Sequence, residues 1–203
     1  MRDIINRIKY KFLRAKNVEN EYIRLLDTID NNQENIGSFT YACLKRGAKN
    51  IYSYEAERQN YGMSQKNIKW GIERGYVNLY NLAVFRSDIQ EDKILITHST
   101  VDRKNTGGIS VIWHGNKEIY SYGKIDTICL DRILEKFKKV KLMKIDCEGS
   151  EYPILLTSKM LNRIEYICGE YHNTGEYHNP IEKSAVIDGK TNYNWKDLEK
   201  LFV

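Results

Sequence analysis

Residues 140–152 read Val-Lys-Leu-Met-Lys-Ile-Asp-Cys-Glu-Gly-Ser-Glu-Tyr. The run from Val140 to Ile145 is apolar except for two lysines, which predicts a strand covered on both faces of a sheet. The next residues predict a tight turn, because Gly149 is free to adopt backbone angles that other residues avoid. Ser150 is a good N-cap, so the pattern predicts a strand, an acidic turn and a helix.

Two acidic residues occupy this turn. Asp146 falls where the predicted strand ends, and Glu148 follows two residues later. In open α/β sheets, ligands bind in the crevice beyond the carboxyl ends of the strands, and both carboxylates would point into that crevice. Alternatively, both acids only favour the positive end of the following helix, each by about 0.3–1 kcal/mol. The turn alone leaves both interpretations open.

The rest of the chain predicts alternating strands and helices. Leu130, Ile133, Leu134 and Phe137 lie at spacings i, i+3, i+4 and i+7, which predict one apolar helix face before the acidic unit. Further strands are predicted at 50–54, 76–80, 93–97, 109–113 and 164–168, and further helices at 38–46 and 58–74. In the helix at 38–46, Ser38 is the predicted cap and Gly47 the predicted stop. This order predicts an α/β protein with a mostly parallel central sheet and helices on both faces.

Another candidate acid, Glu55, follows the predicted strand 50–54. In nucleotide-binding sheets, an acid at this place accepts hydrogen bonds from both ribose hydroxyls, because a carboxylate offers paired acceptors to paired donors. A glutamate at the end of a strand is also an ordinary surface residue. Its spacing after Gly37 favours the ribose-binding interpretation.

The segment Lys144-Ile-Asp-Cys-Glu-Gly-Ser-Glu151 resembles the KID-x-EG-x-E signature of the FkbM-type S-adenosylmethionine-dependent methyltransferases. The resemblance extends from about residue 31 to the C-terminus. It implies a Rossmann-like class I methyltransferase fold, in which the first strand could be irregular. With the amphipathic pattern of the N-terminus, it divides the chain into a helical segment at 1–28 and a methyltransferase-like domain at 29–203.

The resemblance also implies a cofactor, S-adenosylmethionine, and residues that would bind it. Asn35 and Gly37 match the end of the family's cofactor loop. Glu55 matches the acid that binds the ribose. Asn81 and Ala83 fall in the segment that resembles the family's segment beside the adenine. The implied reaction is methyl transfer to a hydroxyl group, on a sugar of a glycan or of a glycosylated metabolite.

The candidate catalytic residues follow two neighbouring strands. If the strand 164–168 pairs with the strand before Asp146, then Glu170 and His172 share a crevice with Asp146 and Glu148. Methyl transfer to an alcohol needs a base for the hydroxyl proton, which typically contributes about 10²–10⁴-fold. Asp146 or His172 could be this base, while Glu148 and Glu170 would bind the acceptor or a divalent cation through hard oxygen ligands. A metal site is not predicted. A metal-dependent hydrolase is a further alternative function, but it would leave Glu55 without a role.

The cofactor loop departs from the family pattern. The family carries a turn such as D-V-G-A-N-I-G, whereas residues 31–37 read Asn-Asn-Gln-Glu-Asn-Ile-Gly. Asn31 stands where the acid would be, unless Asp30 replaces it through a shift of one residue, and Gln33 stands at the first glycine. A side chain there occupies space beside the cofactor, and if the position requires a positive φ, the conformational cost is about 1–2 kcal/mol. The alternative function is therefore a catalytically degenerate methyltransferase-like domain that binds a glycan or a protein.

Composition bears on partners and location. The net charge is +5, and the dense basic run at 136–141 ends a helix, where cations are favoured, so nucleic acid is not an expected partner. The sequence contains neither a run of 18 apolar residues nor a signal-peptide pattern, so no membrane span and a cytoplasmic location are expected. The four cysteines form no Cys-x-x-Cys pair and are expected to be reduced. The oligomeric state and the identity of the acceptor are open.

Overall fold

The computed structural model describes residues 37–99, 109–110, 119–147, 149–170, 186–190 and 192–201. The predicted N-terminal segment at 1–28 and most of the cofactor loop at 31–37 lie outside these residues. Among the described residues, no helix is long and apolar enough to cross a membrane.

The described chain contains both strands and helices, as predicted. The strands are β1 Ile51–Tyr54, β2 Val77–Tyr80, β3 Ala83–Phe85, β4 Lys93–Ser99, β5 Ile109–Ser110, β6 Ile119–Cys129, β7 Val140–Ile145 and β8 Ile164–Gly169. The helices are α1 Ser38–Lys45, α2 Arg58–Asn67, α3 Lys69–Glu73, α4 Leu130–Leu134, α5 Glu151–Thr157 and α6 Trp195–Glu199, and a 3₁₀ turn spans Leu161–Arg163. The α/β class is therefore confirmed.

The strands of the described residues form small sheets with both parallel and antiparallel pairs. Strand β1 pairs in parallel with β2, and β7 pairs in parallel with β8. A four-stranded sheet has the order β3-β6-β4-β5, in which β3 is parallel to β6 while β4 is antiparallel to β6 and to β5. The architecture is mixed α/β, and among the described strands the predicted continuous, mostly parallel sheet is not confirmed. The antiparallel pairs arise from an excursion between β3 and β7, where consecutive strands fold back on each other without a crossover helix.

This excursion contains a strand that the sequence pattern does not predict. The predicted strands at 93–97 and 109–113 correspond to β4 and β5, which pair with Thr97 opposite Ser110. The long strand β6 is unexpected, and its register against β4 shifts between Ile96 and Thr97. Gly123 lies at this shift with a φ of 90°. A bulge of this kind inserts an extra residue and breaks the alternation by which a strand is recognised.

Helix α1 has a different N-cap from the one that the sequence predicts. Gly37 is the N-cap, with a φ of 78°, and Ser38 is the first helical residue, so the predicted side-chain cap by Ser38 is wrong. The predicted stop at Gly47 is confirmed. Gly47 has a φ of 85°, its N–H donates to the Leu44 oxygen at 3.0 Å, and the next N–H donates to the Cys43 oxygen at 3.1 Å. These two bonds form a Schellman motif.

The predicted helix 58–74 divides into α2 and α3 at Ile68. This residue has φ −111° and ψ 17°, and its side chain is fully buried. It packs with Leu44 and Val77 in a core cluster beneath β1 and β2. Gly71 lies in α3, and a Cβ there would be only 2.6 Å from Leu44 Cδ1. A side chain at Gly71 would therefore crowd Leu44 of α1 and Val77 of β2.

The core beneath the acidic turn joins β7 and β8 to α4 and α5. Its buried members are Leu130, Leu134, Ile145, Ile154 and Leu155. The buried face predicted for the helix before the turn is confirmed, although α4 ends at Leu134. The turn that carries Asp146 is thus attached to a packed core on both of its sides.

One face of β7 is more exposed to solvent than the sequence predicts. Leu142 is 45% exposed, and so is Tyr166, which lies opposite it on β8. The prediction that this strand is covered on both faces is therefore wrong. An apolar side chain indicates that burial is favourable, but whether an element covers it depends on the tertiary arrangement.

Candidate functional site

Asp146 directly follows β7, at the position that the sequence predicts. Its Oδ2 atom lies 2.7 Å from Lys144 Nζ, and the two side chains are 19% and 28% exposed. Residues two apart in a strand share a face, which lets the lysine at the end of β7 reach this carboxylate. The ion pair is therefore partly buried, and it fixes the orientation of the Asp146 carboxylate.

Glu151, the last residue of the motif, is not among the residues that the sequence pattern predicts for the site. It is fully buried at the start of α5. Its Oε1 atom accepts the Cys147 N–H at 2.7 Å, and its Oε2 atom accepts the Gly149 N–H at 2.8 Å. Gly149 has a φ of 98°, which a side chain would disfavour. The signal for Glu151 in the sequence is its place in the signature, since an acid in the first turn of a helix is otherwise ordinary.

Ser150 has the predicted position but not the predicted interaction. It is the N-cap of α5, yet its side chain makes no capping hydrogen bond. Its Oγ atom is buried and takes part in no hydrogen bond among the described residues. The carboxylate of Glu151 supplies the acceptor for the turn instead, so the predicted cap by Ser150 is wrong.

The backbone of Glu170 is hydrogen-bonded to Ile145, directly before the acidic turn. The predicted strand at 164–168 is confirmed as β8, and it is the parallel neighbour of β7. The Glu170 N–H donates to the Ile145 oxygen at 3.2 Å, one residue before Asp146. Gly169 allows this approach, because a Cβ there would lie 1.8 Å from the same oxygen. Glu148 and His172, the other two candidate catalytic residues, lie outside the described residues.

Glu55 directly follows β1, and its carboxyl group is perturbed by its surroundings. The pKa of Glu55 is raised from 4.5 to about 7, chiefly by burial. A hydrogen bond from the Glu57 N–H opposes this rise, and the neighbouring Glu57 carboxylate adds to it. That N–H lies 2.9 Å from Glu55 Oε1. Glu57 is itself buried and caps α2 by accepting the Asn60 N–H at 2.6 Å. A carboxyl group with a pKa near neutrality at the end of a strand is typical of a functional position.

Three more residues from the predicted cofactor set lie in the described residues. The Asn81 side chain donates to the backbone oxygens of Glu55 and Ala56 at 2.9 and 3.0 Å. Ala83 is 3% exposed and belongs to a core cluster against which Ala56 packs. Gly37 lies against α2, where a Cβ would be 3.3 Å from Ser64 Oγ. The structure thus joins Asn81 to Glu55. Asn35 lies outside the described residues.

Cys43 and Cys147 are not activated thiols, and the described residues contain no cluster of metal ligands. All four cysteines are free. Burial raises the pKa of Cys43 to about 11, and burial also raises the pKa of Cys147, next to Asp146. A thiol with a raised pKa is a poor nucleophile, because only the thiolate attacks. No group of three or more histidines, cysteines, aspartates or glutamates in the described part of the chain is arranged to hold a metal ion.

Comparison with known proteins identifies one family. No curated protein and no solved structure shows significant similarity to the chain. The sequence profile described as the methyltransferase FkbM domain matches residues 29–188. The matched range includes Gly37, Glu55 and the acidic turn at Asp146, and it spans most of the chain. The chain therefore belongs to the FkbM methyltransferase domain family.

Proposed function

We propose that the protein is an S-adenosylmethionine-dependent O-methyltransferase that acts on a hydroxyl group of a sugar, in a glycan or a glycosylated metabolite. Family membership makes the chain a methyltransferase. The observation that carries the rest of the proposal is the position of two acids, Glu55 and Asp146, each directly after a strand of a parallel pair. Ligands of α/β proteins bind at such strand ends.

The fold that fits this proposal is a Rossmann-like class I methyltransferase domain at residues 29–203. In this fold the pairs β1–β2 and β7–β8 belong to one mostly parallel sheet. Both acids would then face one crevice at the carboxyl edge of that sheet. A cytoplasmic location and a small-molecule or glycan partner belong to the same proposal.

The residues present fit the ribose of S-adenosylmethionine. Glu55 offers two carboxylate oxygens to two hydroxyl donors, and Asn81 holds the backbone that carries Glu55. Gly37, Asn35 and Ala83 complete the proposed cofactor set. When bound, the cofactor supplies a methyl group that is already activated as a sulfonium. The protein then has to align the acceptor oxygen and remove its proton.

Asp146 or His172 is the proposed base for the acceptor hydroxyl. Lys144 holds one oxygen of the Asp146 carboxylate at 2.7 Å, which orients the group without removing its second oxygen from use. Glu148 and Glu170 are the proposed acceptor-binding acids, and the backbone of Glu170 is bonded to the residue before Asp146. A group of acids suits a sugar, because hydroxyls donate hydrogen bonds to carboxylates.

Thermal unfolding with and without S-adenosylhomocysteine tests the cofactor half of this proposal. A ligand at a hundred times its dissociation constant stabilises the folded state by about 2.7 kcal/mol. For a domain of this size, the melting temperature should rise by roughly 5–11 °C. Glu55→Ala should reduce the rise. The matched control is Glu73→Ala, which removes an exposed glutamate that pairs with Lys69 in an i,i+4 contact.

Transfer of a labelled methyl group from S-adenosylmethionine to a panel of free hexoses, deoxyhexoses and nucleotide-linked sugars tests the acceptor half. Labelled product with a sugar is the expected result. A melting temperature that does not change at millimolar S-adenosylhomocysteine, in a folded protein, would instead favour the degenerate domain that binds a glycan or a protein. Cofactor binding with methyl transfer only to non-sugar acceptors would contradict the sugar assignment alone.

A further inference from the structure

One buried carboxylate holds both peptide groups that follow the acids of the turn. The N–H of Cys147 belongs to the peptide bond after Asp146, and the N–H of Gly149 belongs to the peptide bond after Glu148. Oε1 and Oε2 of Glu151 accept these two N–H groups at 2.7 and 2.8 Å. A single side chain therefore fixes the backbone immediately after each candidate acid.

The burial of Glu151 carries a desolvation cost, which its hydrogen bonds to the turn must offset. Glu151 is 0% exposed and is followed by the buried residues Tyr152, Ile154 and Leu155. Removing a carboxylate from water is unfavourable unless it is paired or hydrogen-bonded, and bonds from N–H groups to an ionised acceptor are among the strong ones. Capping alone needs no buried acid, since a serine or threonine can cap a helix from its surface. Ser150 has that position but makes no capping bond with its side chain.

Asp146 is consequently held from two directions. Lys144, at the end of β7, holds its side chain at 2.7 Å. Glu151, at the start of α5, holds the peptide group that follows it. A carboxylate that acts as a base must stay within hydrogen-bonding reach of the acceptor hydroxyl, and misplacement by about 1 Å can cost about 100-fold in rate.

We propose that Glu151 is a positioning residue for Asp146, and that it acts on catalysis through the backbone of the turn. This inference rests on the proposed methyltransferase function. A positioning role and a purely structural role predict different effects of a substitution on turnover and on cofactor affinity. A positioning residue affects turnover while leaving cofactor affinity intact, because Glu55 follows a different pair of strands. A residue needed only for stability would lower both together, in proportion to the folded fraction.

The experiment uses Glu151→Gln in the full chain, with Ser150→Ala as the matched control. The amide has the same shape but only one acceptor oxygen, so one of the two N–H groups loses its partner. We expect kcat for labelled methyl transfer to fall by about 10- to 100-fold while the dissociation constant for S-adenosylhomocysteine changes by less than about threefold. Amide hydrogen exchange at Cys147 or Gly149 should become at least about tenfold faster. Ser150→Ala should leave all three quantities unchanged.

A second variant, Glu151→Asp, keeps the charge but shortens the side chain by one methylene, and it should show the same separation of turnover from affinity. The proposal is overturned if both folded variants retain the turnover of the wild type. It is also overturned if exchange at Cys147 and Gly149 is unchanged, or if neither variant folds, since the residue would then serve stability alone. If the wild type neither binds S-adenosylhomocysteine nor transfers methyl groups, the proposed function fails. Faster amide exchange in Glu151→Gln would then establish the contact of Glu151 with the turn, but not its catalytic role.

Discussion

The side-chain nitrogen of Asn81 lies 2.9 Å from the backbone oxygen of Glu55, and it lies 3.0 Å from the backbone oxygen of Ala56. Asn81 follows β2 and Glu55 follows β1, so one amide group connects the ends of two parallel strands. Both residues are in the proposed cofactor set, and this contact gives Asn81 a specific task within it. The amide holds the backbone from which the Glu55 carboxyl projects.

Asn81→Asp should weaken both the fold and cofactor binding. The substitution replaces an N–H₂ donor by an oxygen that faces two carbonyl oxygens, so two hydrogen bonds are lost and a repulsion is introduced. We expect the free energy of unfolding to fall by about 1–3 kcal/mol, as measured by urea denaturation. Calorimetry should also record a weaker affinity for S-adenosylhomocysteine. Asn78→Asp, at an exposed position of β2, is the matched control, and equal effects of the two variants would contradict the assigned role.

The stability contribution of Glu55 should depend on pH. Burial raises the pKa of its carboxyl from 4.5 to about 7, so the folded state binds the proton more tightly than the unfolded chain does. The contribution is fully present below about pH 4.5 and is lost as the pH rises through 7. Relative to Glu55→Gln, the free energy of unfolding of the wild type should fall by up to about 3 kcal/mol over this range. Urea denaturation of both proteins across the range measures the difference, and parallel curves would show that the pKa is not raised.

Cofactor affinity should change with pH in the opposite direction. Ribose hydroxyls donate hydrogen bonds, and the ionised form of Glu55 accepts more of them than the protonated form does. The affinity for S-adenosylhomocysteine should therefore increase as the pH rises toward the pKa of about 7 and become constant above it. Titration calorimetry at several pH values measures this change. Glu55→Gln should bind more weakly and without this dependence, and an identical dependence in the variant would assign it to another group.

Much of the framework that carries the site could be predicted from the sequence. Strands β1, β2, β7 and β8 are short apolar runs that end at polar residues, and this local pattern does not depend on distant contacts. Asp146 and Glu55 follow from it directly, because each is the first residue after such a run. Strand β6 could not be predicted, since the bulge at Gly123 interrupts its alternation.

The contacts within the site could not be predicted, because they depend on which groups become buried. An acid in the first turn of a helix is most often exposed, and only the packing of α5 places Glu151 in the core with both oxygens on the turn. The same holds for Ile68, which divides the predicted helix 58–74 because its side chain enters the core beneath β2. Local periodicity identifies the elements, while tertiary packing decides how they end and which polar groups they enclose.

The ion pair between Lys144 and Asp146 should matter more for turnover than for stability. Asp146→Asn keeps the shape of the side chain but is a much weaker base, so turnover should fall by about 10²–10⁴-fold while the fold is retained. Lys144→Met should reduce turnover less, because it removes only the group that orients the carboxylate. The control is Lys141→Met on the same strand, whose partner is Glu165 on β8 and whose side chain is 75% exposed. Steady-state methyl transfer and circular dichroism measure the two properties, and full turnover in Asp146→Asn would exclude Asp146 as the base.

Gly169→Ala should disrupt the join between β8 and the acidic turn. A Cβ at this position would lie 1.8 Å from the Ile145 backbone oxygen, which cannot move without breaking the pairing of β7 with β8. We expect a loss of about 3 kcal/mol or more in the free energy of unfolding, or no folded protein. Gly62→Ala is the matched control, because Gly62 lies within α2 with no atom within 4 Å of an added Cβ. Since alanine favours a helix over glycine, that variant should gain about 0.5–1 kcal/mol in thermal or urea unfolding. A Gly169→Ala protein as stable as Gly62→Ala would contradict the close approach of Gly169 to the Ile145 oxygen.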